Sequence, residues 1–209
     1  MTTSVRRRDA VANRQALLDA AARVLREKPQ ASMDLIAADA GLTRRAVYGH
    51  FPSRDALLGE LLDRGAAQIS SAIADIRDDD PARHMARLAR AIWLAIADVK
   101  LVAQMLVSGP LEKAVGRAVA PIRRALRDVV DRGCADDSFR QDVGAAVIAR
   151  LIEQAALGVL DVAVERGISD EDAQRLLGAT ALGIAGLDWH DARVALDAVS
   201  PPHTNGDAG

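Results

Sequence analysis

Arg44 and Arg45 stand side by side in the stretch LTRRAVYGHF (42–51), which also holds two of the chain's five aromatic residues and a glycine, Gly49, inside what reads as a short helix. An arginine presents its N–H donors as a fork that can grip guanine O6 and N7 together. On a wheel of about 100° per residue, Val47 and Phe51 fall on one side, which must be the buried one, and Gly49 falls roughly 180° away. Arg45 and Ala46 flank Gly49. Arg44 and Tyr48 occupy one shoulder, and His50 the other. If such a helix enters the major groove of DNA, Gly49 is the point of closest approach, with no side chain to hold a base edge off. Arg45 beside it can read guanine, with Arg44 assisting, and the methyl of Ala46 can meet a thymine methyl. Tyr48 and His50 straddle the groove, where phosphate contacts position the protein without reading sequence. Thr43 at the helix start, and the free N–H groups after Ser32 and Ser53, can also take phosphates. Gly49 costs the helix about 1 kcal/mol relative to Ala, and close approach to a base edge accounts for it. Taken singly, paired arginines are solvated charges and a glycine is a weak point near a helix end. The combination at this spacing points to DNA.

The surrounding pattern supplies elements to hold that helix. Leu17, Leu18, Ala21, Val24 and Leu25 recur at helical spacing between Asp9 and Lys28, where Pro29 stops the helix. Ser32 is a candidate N-cap for a short helix over Met33–Ala40 that Gly41 ends, and Thr43 caps the next, Arg44–His50. Two short helices around a glycine-containing turn make a helix-turn-helix. Ser53 then caps a longer helix from Arg54 towards Ile76, with Leu58, Leu61, Leu62, Ile69 and Ile73 inward.

The segment SMDLIAADAGLTRRAVYGHFPSRDALL (32–58) resembles the DNA-binding segment of the TetR (tetracycline-repressor-like) family of transcriptional regulators, and RQALLDAAARVLREK (14–28) is similar to that family's first helix. The resemblance implies an all-α chain: an N-terminal three-helix DNA-binding domain (1–56) joined to a helical effector-binding and dimerisation domain (57–199); by composition, the end of the chain (200–209) reads as a disordered tail. The boundary then lies near the start of the helix that begins at Arg54. The resemblance also implies that Thr43, Arg44, Arg45, Ala46, Tyr48 and His50 lie at DNA-contacting positions, with Ser32 and Arg54 towards phosphates. One departure is Lys28 followed by Pro29, where many members place a glycine at the end of the first helix. The basic run Arg6–Arg7–Arg8 precedes the expected first helix. Either an arm along the DNA or a disordered basic tail fits it.

Charge supports the division. Residues 1–55 hold ten Arg or Lys against six acids, a balance of +4, so with a net charge of −2 the remainder carries −6. A basic end on an acidic body suits a polyanion met by the first part alone. One cysteine, Cys134, excludes an internal disulfide framework, and no apolar run approaches the roughly 20 residues that span a bilayer. The expectation is a cytoplasmic protein.

The body reads as further helices. One starts after an Asp80–Pro81 cap and runs to about 98, and a short segment covers Leu101–Val107. A helical stretch is interrupted by Pro121, and CADDSFRQD (134–142) reads as a loop. Long apolar helices follow over about 143–166, closed by Gly167, and about 170–187, capped by Ser169 or Asp170, with a last short one near 189–199. The two long helices are rich in small residues, and the resemblance implies that they pair with their copies in a homodimer, which suits a palindromic operator. The resemblance also implies a small-molecule effector held among the middle helices. Candidate lining residues are Met85, Leu88, Ile92, Trp93, Ile96, Met105, Ile122, Leu126, Leu151 and Ile152, with His84, Gln104, Arg150, Glu153 and Gln154 as polar contacts. Scattered histidines and the lack of a glycine-rich phosphate loop leave no catalytic constellation, no metal site and no cofactor. DWHD (188–191) reads as a helix-start turn with Trp189 packed on the bundle, and Cys134 as a loop thiol. The expected function is a ligand-responsive DNA-binding regulator, most often a repressor in that family. The alternative is a sensor of the same fold that does not bind DNA.

Overall fold

Leu17, Leu18, Ala20, Ala21 and Leu25 are buried along one face of the first helix, α1 (Thr2–Glu27), as their spacing requires. The computed structural model describes residues 2–28, 30–96, 116 and 119–200, with side chains from 8 onward and excluding that of Ile96. Those residues form nine α-helices and no strand. They are α1, α2 (Met33–Asp39), α3 (Arg44–His50), α4 (Arg54–Ala74), α5 (Pro81–Ile96), α6 (Ala120–Ala135), α7 (Ala145–Arg166), α8 (Asp170–Ala185) and α9 (Trp189–Val199). Leu101–Val107 and the tail from 201 fall outside the described residues.

Two compact units divide the chain inside α4. The first holds α1–α3 and α4 as far as Ser71; the second takes α4 from Ala72, α5 to Leu94 and the helices from Ile122 on. In the first, Ile36, Ala37, Val47, Phe51, Leu57, Leu58 and Leu61 join the α1 face in one core. Arg6, Arg7 and Arg8 correct the sequence reading: they lie within α1, which begins at Thr2, and do not form an arm ahead of it. Arginine is a good helix former, and no glycine or proline stands before Asp9 to stop the helix from running back. At the other end the chain turns without a glycine. The Lys28 amide bonds Val24 and the Ala31 amide returns to the Lys28 carbonyl at 2.9 Å.

In the second unit, α7 and α8 pack side by side and α9 packs on α8. Gly167 (φ 62°) closes α7 in the left-handed conformation, and the Ser169 side chain caps α8 by accepting from the Asp172 amide. Asp80 Oδ1 accepts from the Ala82 and Arg83 amides at 2.8 and 3.1 Å, so Pro81 opens α5 as expected. The Gly133 Cα faces the ring of buried Phe139, which folds the α6–α7 loop back onto α6 and leaves no room for a Cβ.

Two further expectations change. Trp189 does not pack on the bundle: it is 67% exposed, stacked on His190, with Arg193 over its ring, while Asp188 caps α9. Cys134 lies in the last turn of α6 and not in the loop; its thiol donates to the Arg140 carbonyl. Burial, with Asp131 and Asp136 nearby, raises its pKa, which leaves an unactivated thiol.

His84 is the buried polar residue of the described core. Its Nδ1 meets the Arg132 guanidinium, which also donates to the Asp78 carbonyl. Asp78 in turn holds Arg83 and Arg87, and the Arg83 bond lowers its pKa below the ordinary carboxylate value. Burial, then Arg132 and Arg77, lowers the His84 pKa. The folded chain therefore keeps a neutral imidazole that the unfolded chain protonates from about pH 6.5 downward. This contribution to stability is complete above pH 6.5 and is lost as the pH falls towards the depressed folded value. The urea midpoint should drop between pH 7.5 and 5.5 in the wild type, and drop less in His84→Gln. Parallel pH profiles would disprove the assignment.

Candidate nucleic-acid interface

α2 and α3 are joined by a turn whose residues leave little choice of path. Gly41 takes φ +67°, its amide bonds Ala38, and the Leu42 amide bonds Ala37 at 2.9 Å. These two bonds satisfy the last carbonyls of α2 in a Schellman closure, for which a left-handed glycine is the usual residue. Ser32 and Thr43 cap α2 and α3, accepting from the Leu35 and Ala46 amides at 3.3 Å. The Ser53 hydroxyl accepts from the Ala56 amide at 3.1 Å at the start of α4. Ser32 and Thr43 thus already serve as caps, and both remain exposed.

On α3 the wheel holds. Val47 and Phe51 are buried, whereas Arg44, Arg45, Tyr48 and Gly49 are exposed and Ala46 and His50 are half-buried. Gly49 has negative φ, and a Cβ built on it meets nothing within 4 Å. Neither backbone conformation nor packing within the chain therefore demands a glycine here.

The two arginines differ. Arg44 reaches back to Asp34 of α2 at 2.9 Å and lies over the Tyr48 ring at 5.5 Å. Arg45 has no hydrogen-bond or ion-pair partner among the described side chains, so its fork is available. Arg54 turns inward through Nε, which donates to the Ala31 carbonyl at 3.3 Å and ties α4 to the α1–α2 turn. Sequence reasoning missed Asp34 and also Arg14, which bonds Glu60 of α4 and the His50 carbonyl and lies over Phe51. A partial signal was available in the six acids of the first 55 residues, of which Asp34 holds Arg44, whereas Glu60, the partner of Arg14, lies beyond them. Arg23–Asp39 and Arg64–Asp19 use two more.

The effector candidates lie in a different part of the molecule. Met85, Leu88, Trp93, Leu126 and Ile152 are buried, and Ile92 and Ile122 half-buried. Trp93 is committed through Nε1 to Asp170 at 3.3 Å. Leu151 departs from the expectation of an inward position. It is 49% exposed, roughly a quarter of a turn away from the buried Ile148–Ile152 face, and lines an open groove of about 400 Å³ with Val143, Thr180 and Gly183. Met105, Gln104 and the Ile96 side chain fall outside the described residues. His84 faces Arg132, and Glu153 is held by Arg123 and Arg150. Gln154 is exposed. Among the described residues no group of three or more His, Cys, Asp or Glu side chains could hold a metal ion, and no helix is long and apolar enough to cross a membrane.

The model of the bacterial regulatory proteins of the tetR family matches residues 17–61, which include α2, α3 and the turn between them. No curated protein matches the chain. Solved structures share its fold. The transcriptional regulator FadR from Bacillus subtilis, in complex with stearoyl-CoA, is 15% identical, with a TM-score of 0.71 over 82% of this chain and 97% of that one. A TetR transcription regulator from Haloarcula marismortui is 21% identical, with a TM-score of 0.67 over 84% and 97%. RolR in complex with resorcinol is 20% identical, with a TM-score of 0.63 over 93% and 97%. Residues 17–61 thus match the tetR-family model, in a chain that shares the fold of solved TetR-type regulators.

Proposed function

We propose that the chain is a homodimeric, cytoplasmic, non-enzymatic transcriptional regulator that binds a palindromic operator in double-stranded DNA and is released from it by a small-molecule effector. The observation that carries this reading is the outward face of α3. An unpartnered Arg45 lies beside a Gly49 whose missing side chain nothing within the chain requires. On this reading residues 1–56 bind DNA and 57–199 bind the effector and dimerise. Arg45 reads a base, Ala46 assists it, and Gly49 admits the base edge. Thr43, Arg44, Tyr48 and His50 hold phosphates, with Ser32 and Arg54 at the periphery. The effector lies among α5–α7 near Met85, Leu88, Ile92, Trp93, Leu126 and Ile152.

The second reading, a sensor of this fold that leaves DNA alone, is favoured by one feature. Arg14, Arg23, Arg44 and Arg64 each pair with an acid inside the first unit, which weakens its positive field. Selection from a random duplex pool followed by a salt series separates the two. A DNA regulator should enrich a palindrome with half-sites about 34–36 Å apart. Its affinity should fall with salt at a log–log slope of about −0.9 per phosphate neutralised. An unenriched pool removes the DNA-binding reading.

A further inference from the structure

Arg14 occupies the middle of α1 on the helix's half-buried side. Its guanidinium uses Nε (2.8 Å) and Nη2 on the two carboxylate oxygens of Glu60 in α4. The remaining arm, Nη1, donates to the carbonyl of His50 at 3.0 Å, the last residue of α3. The cation also lies 4.4 Å from the centre of the Phe51 ring, which is buried just beyond α3. One side chain therefore joins three helices, and on α3 it grips the end opposite the Thr43 cap.

That end needs a grip. α3 has seven residues, it carries a glycine in its last turn, and its final carbonyls have no partners within the helix. A cation at a helix C-terminus bonds such carbonyls and complements the negative end of the dipole. Glu60 fixes the plane of the guanidinium, so the third arm points in one direction only. We propose that Arg14, oriented by Glu60, is the positioning residue that sets the pitch of α3, and with it the placement of Arg45 and Gly49 against a base edge. The inference rests on the DNA-binding reading for its consequence, whereas its structural half concerns this chain alone.

The test uses Arg14→Lys in the full-length chain. Lysine keeps the charge and the aliphatic stem but cannot offer three fixed donors to two partners. Arg14→Ala and Glu60→Gln accompany it, with thermal melts identifying which variants are folded at the assay temperature. Two quantities are read. The first is the ratio of affinities for the duplex selected by the wild type and a scrambled duplex. The second is the fluorine resonance of 3-fluorotyrosine at Tyr48, the only tyrosine in the chain and a residue of α3. The ratio should fall about tenfold in Arg14→Lys, the scale of a misaligned base contact. Affinity for the scrambled duplex should stay within about twofold, since phosphate contacts read no sequence. The Tyr48 resonance should shift or broaden without DNA, and Glu60→Gln should do the same more weakly. A folded Arg14→Lys chain with an unchanged ratio overturns the proposal. A reduced ratio with an unmoved resonance also overturns it, by making Arg14 a DNA contact. If the wild type selects no duplex, the DNA-binding reading fails, and the Tyr48 resonance alone decides whether Arg14 holds α3.

Discussion

Arg45→Ala is expected to lower affinity for the wild-type selected duplex by roughly 30- to 25,000-fold, because the dimer loses a bidentate base contact of about 1–3 kcal/mol in each of its two half-sites. The loss should concentrate at one base pair of each half-site, where every alternative base becomes nearly equivalent. The salt slope should barely change, because a base contact releases no phosphate counterion. The neighbouring substitution should behave differently. Arg44 is already held by Asp34 and stacked near Tyr48, so reaching DNA means giving up an exposed ion pair worth at most about 1 kcal/mol. Arg44→Ala should therefore weaken selected and scrambled duplexes alike and flatten the salt slope. Gly49→Leu completes the set. The open space around Gly49 leaves the melt of the free protein unchanged or slightly raised, since glycine disfavours helix by about 1 kcal/mol. The added side chain would stand where a base edge must come, so site preference should be altered or lost. Anisotropy titrations of the three variants against the selected duplex and its single-base relatives measure all of this. Wild-type affinity and wild-type preference in Arg45→Ala would remove the reading role from α3.

What was legible in the sequence was local. The caps at Ser32, Thr43 and Ser169, the closures at Gly41 and Gly167 and the inward face of α3 each depend on residues a few positions apart. Their geometry follows from backbone bonding and the helical period. What stayed hidden depends on pairing across helices. Nothing within α1 distinguishes Arg14 from Arg23 until α4 brings Glu60 and α2 brings Asp39. The difference between Arg44 and Arg45 likewise required Asp34, ten residues earlier. Leu151 shows the limit of apolar spacing. Ile148, Leu151 and Ile152 are close enough in sequence to read as one stripe, yet the stripe is wide and only two of them face the core. Trp189 was misread because an aromatic at a helix start is normally buried, whereas Asp188 caps α9 in a way that leaves the ring outside.

On the homodimeric reading proposed above, Leu151→Glu is expected to convert dimer to monomer. Along α7, Val147, Leu151, Gly158 and Val162 form an exposed apolar stripe, and on α8 Leu176, Ala179 and Gly183 form another. Gly183 lies between two shallow grooves, about 400 Å³ beside α7 and about 440 Å³ beside α9. Two adjacent helices with outward apolar ridges and small residues between them are unusual on a monomer's surface and suit close packing on another helix pair. A two-fold axis through this face brings each substitution in twice. Two unpaired carboxylates then enter one apolar interface, at a cost on the order of several kcal/mol, or a rise of about a thousandfold or more in the dimer dissociation constant. The protomer should still fold, because Leu151 is half-exposed within it and surface changes usually stay within about 0.5 kcal/mol. Sedimentation equilibrium reports the association, and far-ultraviolet dichroism reports the fold. Affinity for the palindrome should collapse to that of a single half-site, because one head alone cannot bind both. Leu176→Glu, one helix over, should give the same result by the same route. A Leu151→Glu chain that sediments as the wild-type dimer would show that the partner sits elsewhere, and the exposed stripe would then need another occupant.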